Sequence, residues 1–413
     1  MAERKERILK PERNTKQGVN TRRSIQAILF LLLTVQATAA RKTGDMLAQD
    51  SLPAAGKPFW EKGVLGKVVG YFDRADDVKP LDKFDISFIG GPDINSTTGV
   101  GLGLCGSALY HLQPSNPSLR QSGITITGEV TTKGMFKLML CNDNFLPDDR
   151  FRSHAKLDLT TFKNLFWGIG YEQNDQDMNE CHFTRNQAEF EGNFLFRTAP
   201  SLYVGPAIYY NYLSADKRDP LCNQLLAGLP HKEQVLGLGA ALSYDTRDLL
   251  HDAHRGVYLS FQQRFSPAAL NSASLFATTE LQFCGYKPAW RGCVIAGELH
   301  SRINCGHDIL WGQYAQVGSN DRMRGYYQGR YRDRNIIEAQ LEFRQHLWKR
   351  FGMVWWAGAA NVFRDTHSWK LRHTLPNYGL GIRWRFKPGV NVRFDYGFTR
   401  NGSGFVFCIN EAF

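Results

Sequence analysis

The chain has 413 residues, enough for two or three soluble domains or one large architecture. Its net charge of +11 is uneven: residues 1–40 hold eight Lys/Arg against three Glu, leaving +6 for the rest, too small an excess for a nucleic-acid footprint. The mean hydropathy is −0.36, and no run beyond the leader nears the roughly 20 apolar residues of a membrane-spanning helix, so a helical membrane protein is excluded.

In chain order, a basic stretch leads into the apolar run AILFLLLTV (Ala27 to Val35) and then the small-x-small pattern Ala37-Thr38-Ala39. That order predicts a secretory signal peptide over 1–40. Residues 41–66 form a polar spacer containing Pro and Gly, and the remaining domain is expected over 67–413. The eight cysteines, Cys105, Cys141, Cys181, Cys222, Cys284, Cys293, Cys305 and Cys408, include no C-x-x-C and no zinc-ligand spacing with His. After export they could pair, but spacing does not give the connectivity.

From about Val68 the pattern is alternation of period two, repeated many times with turn signals between. In YGLGIRWRF, Tyr378, Leu380, Ile382, Trp384 and Phe386 share one face, and Gly379, Gly381, Arg383 and Arg385 the other. IIEAQLEFRQHL sets Ile337, Ala339, Leu341, Phe343 and Leu347 against Glu338, Gln340, Glu342, Arg344 and His346; NVRFDYGF, VLGLGAALSYD and GVYLSFQQRF behave alike. Segments of about nine to twelve residues with aromatic-rich apolar faces suit tilted strands that cross a bilayer. Their polar and glycine faces would then line a lumen. Lipid leaves open sheet edges unsatisfied, so the strands must close. About 345 residues, at roughly 20 per strand and connection, predict an all-β, transmembrane antiparallel barrel of about sixteen strands.

Several motifs reduce to plainer readings. Gly101, Gly103 and Gly106 spell G-x-G-x-x-G, but no helix pattern follows, so they read as the glycine face of a strand. His251 and His254 read as turn histidines without a third metal ligand. No catalytic, cofactor-binding or metal-binding constellation stands out, and neither G-x-S-x-G nor H-E-x-x-H occurs.

Three features carry a resemblance. Tyr244-Asp245-Thr246-Arg247-Asp248 with Gly256 forms a compact hairpin whose Asp and Arg can satisfy turn backbone and each other. Met323-Arg324-Gly325-Tyr326 sits within DRMRGYYQGRYRDRN, and the chain closes in an amphipathic strand ending at Phe413 with Phe405, Phe407 and Ile409 on the same face. Together these resemble the BamA/TamA family of outer-membrane barrels, the bacterial surface antigens, in a Bacteroidetes-type subgroup without the periplasmic POTRA domains, for which 41–66 leaves no room. The resemblance is clear from about Val235 onward. It implies a lumen-folded loop bearing Arg324 and a terminal strand (Phe405, Phe407, Phe413) read by the barrel assembly machinery.

The family's F-x-D-x-G aspartate is replaced here by Gly358. Asp395 and Glu342 are the candidate partners of Arg324, while Arg330, Arg332 and Arg334 are expected along the lumen or its rim. The function expected is assistance in inserting or translocating a polypeptide or lipid, with outer-membrane lipid around the barrel and a separate periplasmic partner. The alternatives are a passive pore or structural surface barrel and, more weakly, an outer-membrane enzyme. Neither nucleic acid nor a cofactor is expected.

Overall fold

A computed structural model describes residues 84–95, 99–116, 119–271, 275–387 and 390–413. The expected leader and spacer, and the first residues of the expected barrel, lie outside this range. Sixteen strands form one antiparallel sheet, each hydrogen-bonded to its sequence neighbours, from β1 (Asp85–Asn95) to β16 (Gly402–Ile409). The strand count agrees with the expectation, and no described helix is long and apolar enough to cross a membrane.

Period-two patterning decides which side chains face which way. On β14 (Leu375–Lys387), Tyr378, Leu380 and Ile382 are 47–59% exposed on the outer face, whereas Asn377 and Arg383 are buried inside. On β12 (Asn335–Trp348), Ile337, Leu341 and Leu347 point out while Glu338, Gln340, Glu342 and Arg344 are buried. The apolar residues of these two strands therefore turn away from the interior. They coat the outside, where lipid replaces a core, while the ladders satisfy the backbone as lipid requires.

The inside is filled from a loop. Between β11 (Cys293–Cys305) and β12, the chain makes a short pairing of Ala315–Gln316 with Arg332–Asp333 and folds back into the sheet. There Met323, Tyr326, Tyr331 and Val317 pack on Ile336, Ala360, Val362 and Leu375 of the wall. A Cys181–Cys222 disulfide ties the start of β6 (Cys181–Ala199) to a short helix, Pro220–Leu225, in the connection after β7 (Leu202–Asp216). Cys181 and Cys222 lie near Asp219, but the disulfide uses both thiols, so the trio offers no metal site.

Among the described residues the two sheet edges meet without a ladder between them: a Cβ on Gly91 of β1 would stand 3.7 Å from the Phe407 ring of β16. One expectation fails beside this seam. Phe413 does not share the outer face with Phe405 and Phe407, because the strand stops at Ile409 and the backbone reverses at Asn410, whose φ is 69°. Glu411 then turns inward to Arg383 and Asn391, and the Phe413 ring lies 4.9 Å from the Arg344 guanidinium and packs beside Tyr286. Two buried arginines attract the Glu411 carboxylate more strongly than lipid attracts one more ring.

Candidate functional site: an arginine held by the lumen wall

The arginine at the loop tip is fully buried. Arg324 Nη1 donates to Asp395 Oδ2 at 2.7 Å, and Nη2 donates to Glu342 Oε1 and, at 3.4 Å, to Gln340 Oε1. Both candidate carboxylates are therefore its partners. Its guanidinium carbon stands 3.7 Å from the Trp356 ring centroid, which shields the pair from water. Gly358, in the position where the resemblance places an aspartate, lies opposite Gln340 in the ladder of β12 with β13 (Phe351–Phe363), so an amide faces the loop there instead.

The pair is part of a larger network. Arg383 Nη1 reaches Asp395 Oδ1 at 2.5 Å, and Arg393 Nη1 donates to Asp395 Oδ2 at 3.4 Å. Arg344 Nε donates to Glu342 Oε2 at 2.8 Å, Arg383 Nε to Glu411 Oε2 at 2.7 Å, and Arg393 Nη2 to Asp321 of the loop. Four guanidinium groups (Arg324, Arg344, Arg383, Arg393) thus share four carboxylates (Glu342, Asp395, Glu411, Asp321). That balance is what permits so many charges in a buried site. Next to it, Arg322 Nε donates to Glu298 Oε1 at 2.8 Å, anchoring the loop to β11 as well.

Glycines set how closely the tip approaches. Gly325 has φ of 100°, and a Cβ there would stand 2.7 Å from Gly397 O. A Cβ on Gly397, in β15 (Val390–Thr399), would meet Arg324 O at 2.1 Å. The two backbones touch where neither residue has a side chain, which places Arg324 beside Asp395, two residues before Gly397. Met323 is buried with φ of 49°, an uncommon conformation for a side chain of its size. Tyr326 Oη donates to Pro376 O at 2.8 Å.

The other loop arginines hold the loop itself. Arg330 pairs with Asp177 at 2.5 Å, Arg334 donates to Gly306 O and His307 O at the rim, and Arg332 is buried over Phe166 and Trp311.

The hairpin motif lies at the opposite end. Sixteen antiparallel strands bring β1's start, β16's finish and the connection from β8 (Lys232–Asp245) to β9 (Gly256–Ser266) to one end, across from the loop's root. Arg247 grips Asp245 through Nε and Nη2, both at 3.0 Å. Thr246 Oγ1 accepts from Val257 N at 3.0 Å, and Gly256, with φ of 104°, leaves room where a Cβ would strike Thr246 O at 2.3 Å. Partial burial alone would raise the Asp248 carboxyl, but the backbone N–H groups of His254, Arg255 and Leu249 outweigh it and hold the group below its usual range.

Sequence reading missed one partner: Arg120, from the connection after β2 (Gly99–Tyr110), donates to Asp245 Oδ2 at 2.5 Å and to Arg247 O at 2.8 Å. Glu411 N donates to His251 O at 3.3 Å, so this turn and the chain end together cover part of the mouth.

A sixteen-stranded antiparallel barrel with an internal loop arginine held by wall carboxylates defines a class, the BamA/TamA-type outer-membrane barrels. The Omp85 superfamily domain matches residues 131–413, well over half of the sequence, and the chain belongs to that superfamily. Among solved structures, BamA from Haemophilus ducreyi lacking POTRA domains 1–3 is similar at 11% identity and a TM-score of 0.52, covering 80% of this chain and 70% of that one. CdiB from Escherichia coli is similar at 11% identity and a TM-score of 0.50, over 79% of this chain but only 61% of its own. At such identity the likeness concerns the fold alone. No curated protein matches the sequence.

Proposed function

We propose that this barrel assists the insertion or passage of a polypeptide or lipid at the bacterial outer membrane, with a separate periplasmic partner supplying recognition. The observation that carries this reading is the combination of a loop latched to the lumen wall through Arg324 and, among the described residues, a seam between β1 and β16 without a ladder. A latched loop opposes traffic straight through the barrel, while the seam offers a sideways path into lipid. On the same reading, residues 1–40 direct Sec-type export and are removed, and the assembly machinery reads Phe405 and Phe407 before the tail at Phe413 folds inward. Chemistry at the Arg324 network is not part of this reading, since the charged groups there are committed to one another.

Planar bilayers provide the test. The wild-type protein is expected to give little or fluctuating conductance, and Arg324→Ala longer open events. Steady, voltage-independent wild-type conductance would favour the passive pore. Affinity capture from the envelope should recover a periplasmic partner; a deletion strain that assembles all its barrels normally, with no partner captured, would sink the insertion role.

A further inference from the structure

The turns at the end opposite the loop's root differ from one side of the sheet to the other. Three of them are neighbours in the strand order: residues 286–292 from β10 (Phe276–Pro288) to β11, residues 346–352 from β12 to β13, and residues 384–390 from β14 to β15. Each carries one tryptophan and two Lys/Arg, and none carries Asp or Glu. Other turns at the same end do carry acids. Asp148 and Asp149 lie between β4 (Phe136–Phe145) and β5 (Phe151–Phe166), and Asp248 and Asp252 between β8 and β9.

Backbone bonds join the three turns into one rim. His346 N donates to Gly292 O at 2.7 Å, and Arg385 N donates to Arg350 O at 2.8 Å. The tryptophans lie against the outside of the wall. Trp290 stacks on Phe343 at 6.3 Å, and Phe343 stacks on Trp355 at 5.6 Å. Phe343 alternates with buried Glu342 and Arg344, and Trp355 with buried Val354 and Trp356, so both rings point to lipid. Trp290 Nε1 donates to Gln345 Oε1 at 2.7 Å, which fixes its turn to that wall. Trp348 stacks on Phe351 at 6.5 Å, and the ladder sets Trp384 opposite Phe351. A belt of such rings, apolar with one polar edge, marks the level where hydrocarbon gives way to headgroups.

At that level stand four exposed cations, Lys287, Arg291, Lys349 and Arg385. Among the described residues none of them has a carboxylate partner. Lys349 Nζ instead lies 4.6 Å over the Trp348 ring. Cations gathered without acids repel one another, and a headgroup of net negative charge relieves that repulsion. We propose that this rim binds anionic phospholipid, seating phosphodiester headgroups among the four cations with their acyl chains along the ring belt. Lipid fits better than an acidic protein because the rings beside the cations lie on the lipid-facing wall. This goes beyond the proposed function, since it needs only a barrel seated in a bilayer, whatever the cargo.

The test is selective retention of a defined lipid. The full chain is reconstituted into nanodiscs of dioleoylphosphatidylcholine with a minor share of dioleoylphosphatidylglycerol, released into detergent and weighed by native mass spectrometry. The wild type should retain phosphatidylglycerol in about fivefold or greater excess over the disc ratio, the factor that one engaged cation supplies. Lys287→Gln, Arg291→Gln, Lys349→Gln and Arg385→Gln combined should return retention to the disc ratio. Lys133→Gln, Lys232→Gln, Lys370→Gln and Arg372→Gln combined, all exposed at the other end, should keep the wild-type excess.

No excess in the wild type, or an equal excess in the first variant, overturns the proposal. An envelope protein captured by the wild type and lost from that variant, with lipid retention unchanged, would assign the rim to a protein and overturn it too. Should the first variant fail to assemble, the wild type decides through salt. Raising ammonium acetate from about 0.1 M to about 1 M shortens the screening length from about 10 Å to about 3 Å. The excess should then disappear, and an unchanged excess refutes the cation rim.

Discussion

Asp395→Asn is the sharpest perturbation of the lumen network. Asp395 is fully buried and takes Arg324 at 2.7 Å, Arg383 at 2.5 Å and Arg393 at 3.4 Å. Neutralising it leaves four guanidinium groups facing three carboxylates, hence one uncompensated buried charge. Breaking a buried pair costs about 3–5 kcal/mol. Asparagine keeps the shape and one carbonyl acceptor, which places the loss near the low end, at about 3 kcal/mol. At roughly 2 °C per kcal/mol for a chain of this size, the folded barrel should lose about 6 °C of heat resistance. The assay is a temperature series on semi-native gels, where folded and unfolded barrels migrate differently, with Ile382→Leu on the outer face as control. Arg324→Ala combined with Asp395→Asn should cost clearly less than the sum of the two, since removing both restores the balance. A wild-type melting profile for Asp395→Asn, or strict additivity in the double variant, would refute the account of a shared, balanced network.

Other expectations follow from the same contacts. Gly397→Ala would drive a Cβ into Arg324 O and should expel the loop tip, exposing the Arg330–Arg334 stretch to trypsin under conditions where the wild type resists; equal resistance would refute the close approach. Asp245→Asn removes the acceptor shared by Arg247 and Arg120 and should cost about 1.5–3 kcal/mol on the same gels. Arg120→Ala should add little once Asp245 is gone, and a full additional loss would mean that Arg120 acts elsewhere. Cys222→Ser opens a closure spanning 41 residues and should lower stability by about 2–4 kcal/mol, read as a mobility change and an earlier transition under non-reducing conditions.

The barrel was legible because lipid imposes a simple rule on sequence. With one face of each strand in hydrocarbon, Tyr378, Leu380 and Ile382 must alternate with Asn377, Gly381 and Arg383, and period two survives intact. The loop arginine and its hairpin counterpart were legible only through the resemblance of Met323–Tyr326 and of Tyr244–Asp248 with Gly256, and the structure gives the physical reason: Gly325, Gly397 and Gly256 stand where backbone touches backbone. The partner set around Arg324 was only half legible. Asp395 and Glu342 stand out as acids on inward positions, but nothing local says that Arg383, Arg393 and Arg344 converge on the same two groups from neighbouring strands. That convergence depends on ladder register, which sets Gly381 opposite Asp395 and Arg383 opposite Arg393.

What stayed hidden is the chemistry joining distant parts of the chain. Arg120 meets Asp245 across 125 residues, and its isolated position in a turn gives no sign of the contact. The inward turn of the tail had a faint signal, because Glu411 breaks the apolar alternation that runs through Phe405, Phe407 and Ile409. A carboxylate two residues past a lipid-facing isoleucine has either to leave the membrane or to find a cation, and Arg383 at 2.7 Å supplies one. The inward chain end thus rests on Glu411, and Glu411→Gln should loosen it, which faster thiol labelling of Cys408 would report; an unchanged labelling rate would refute this.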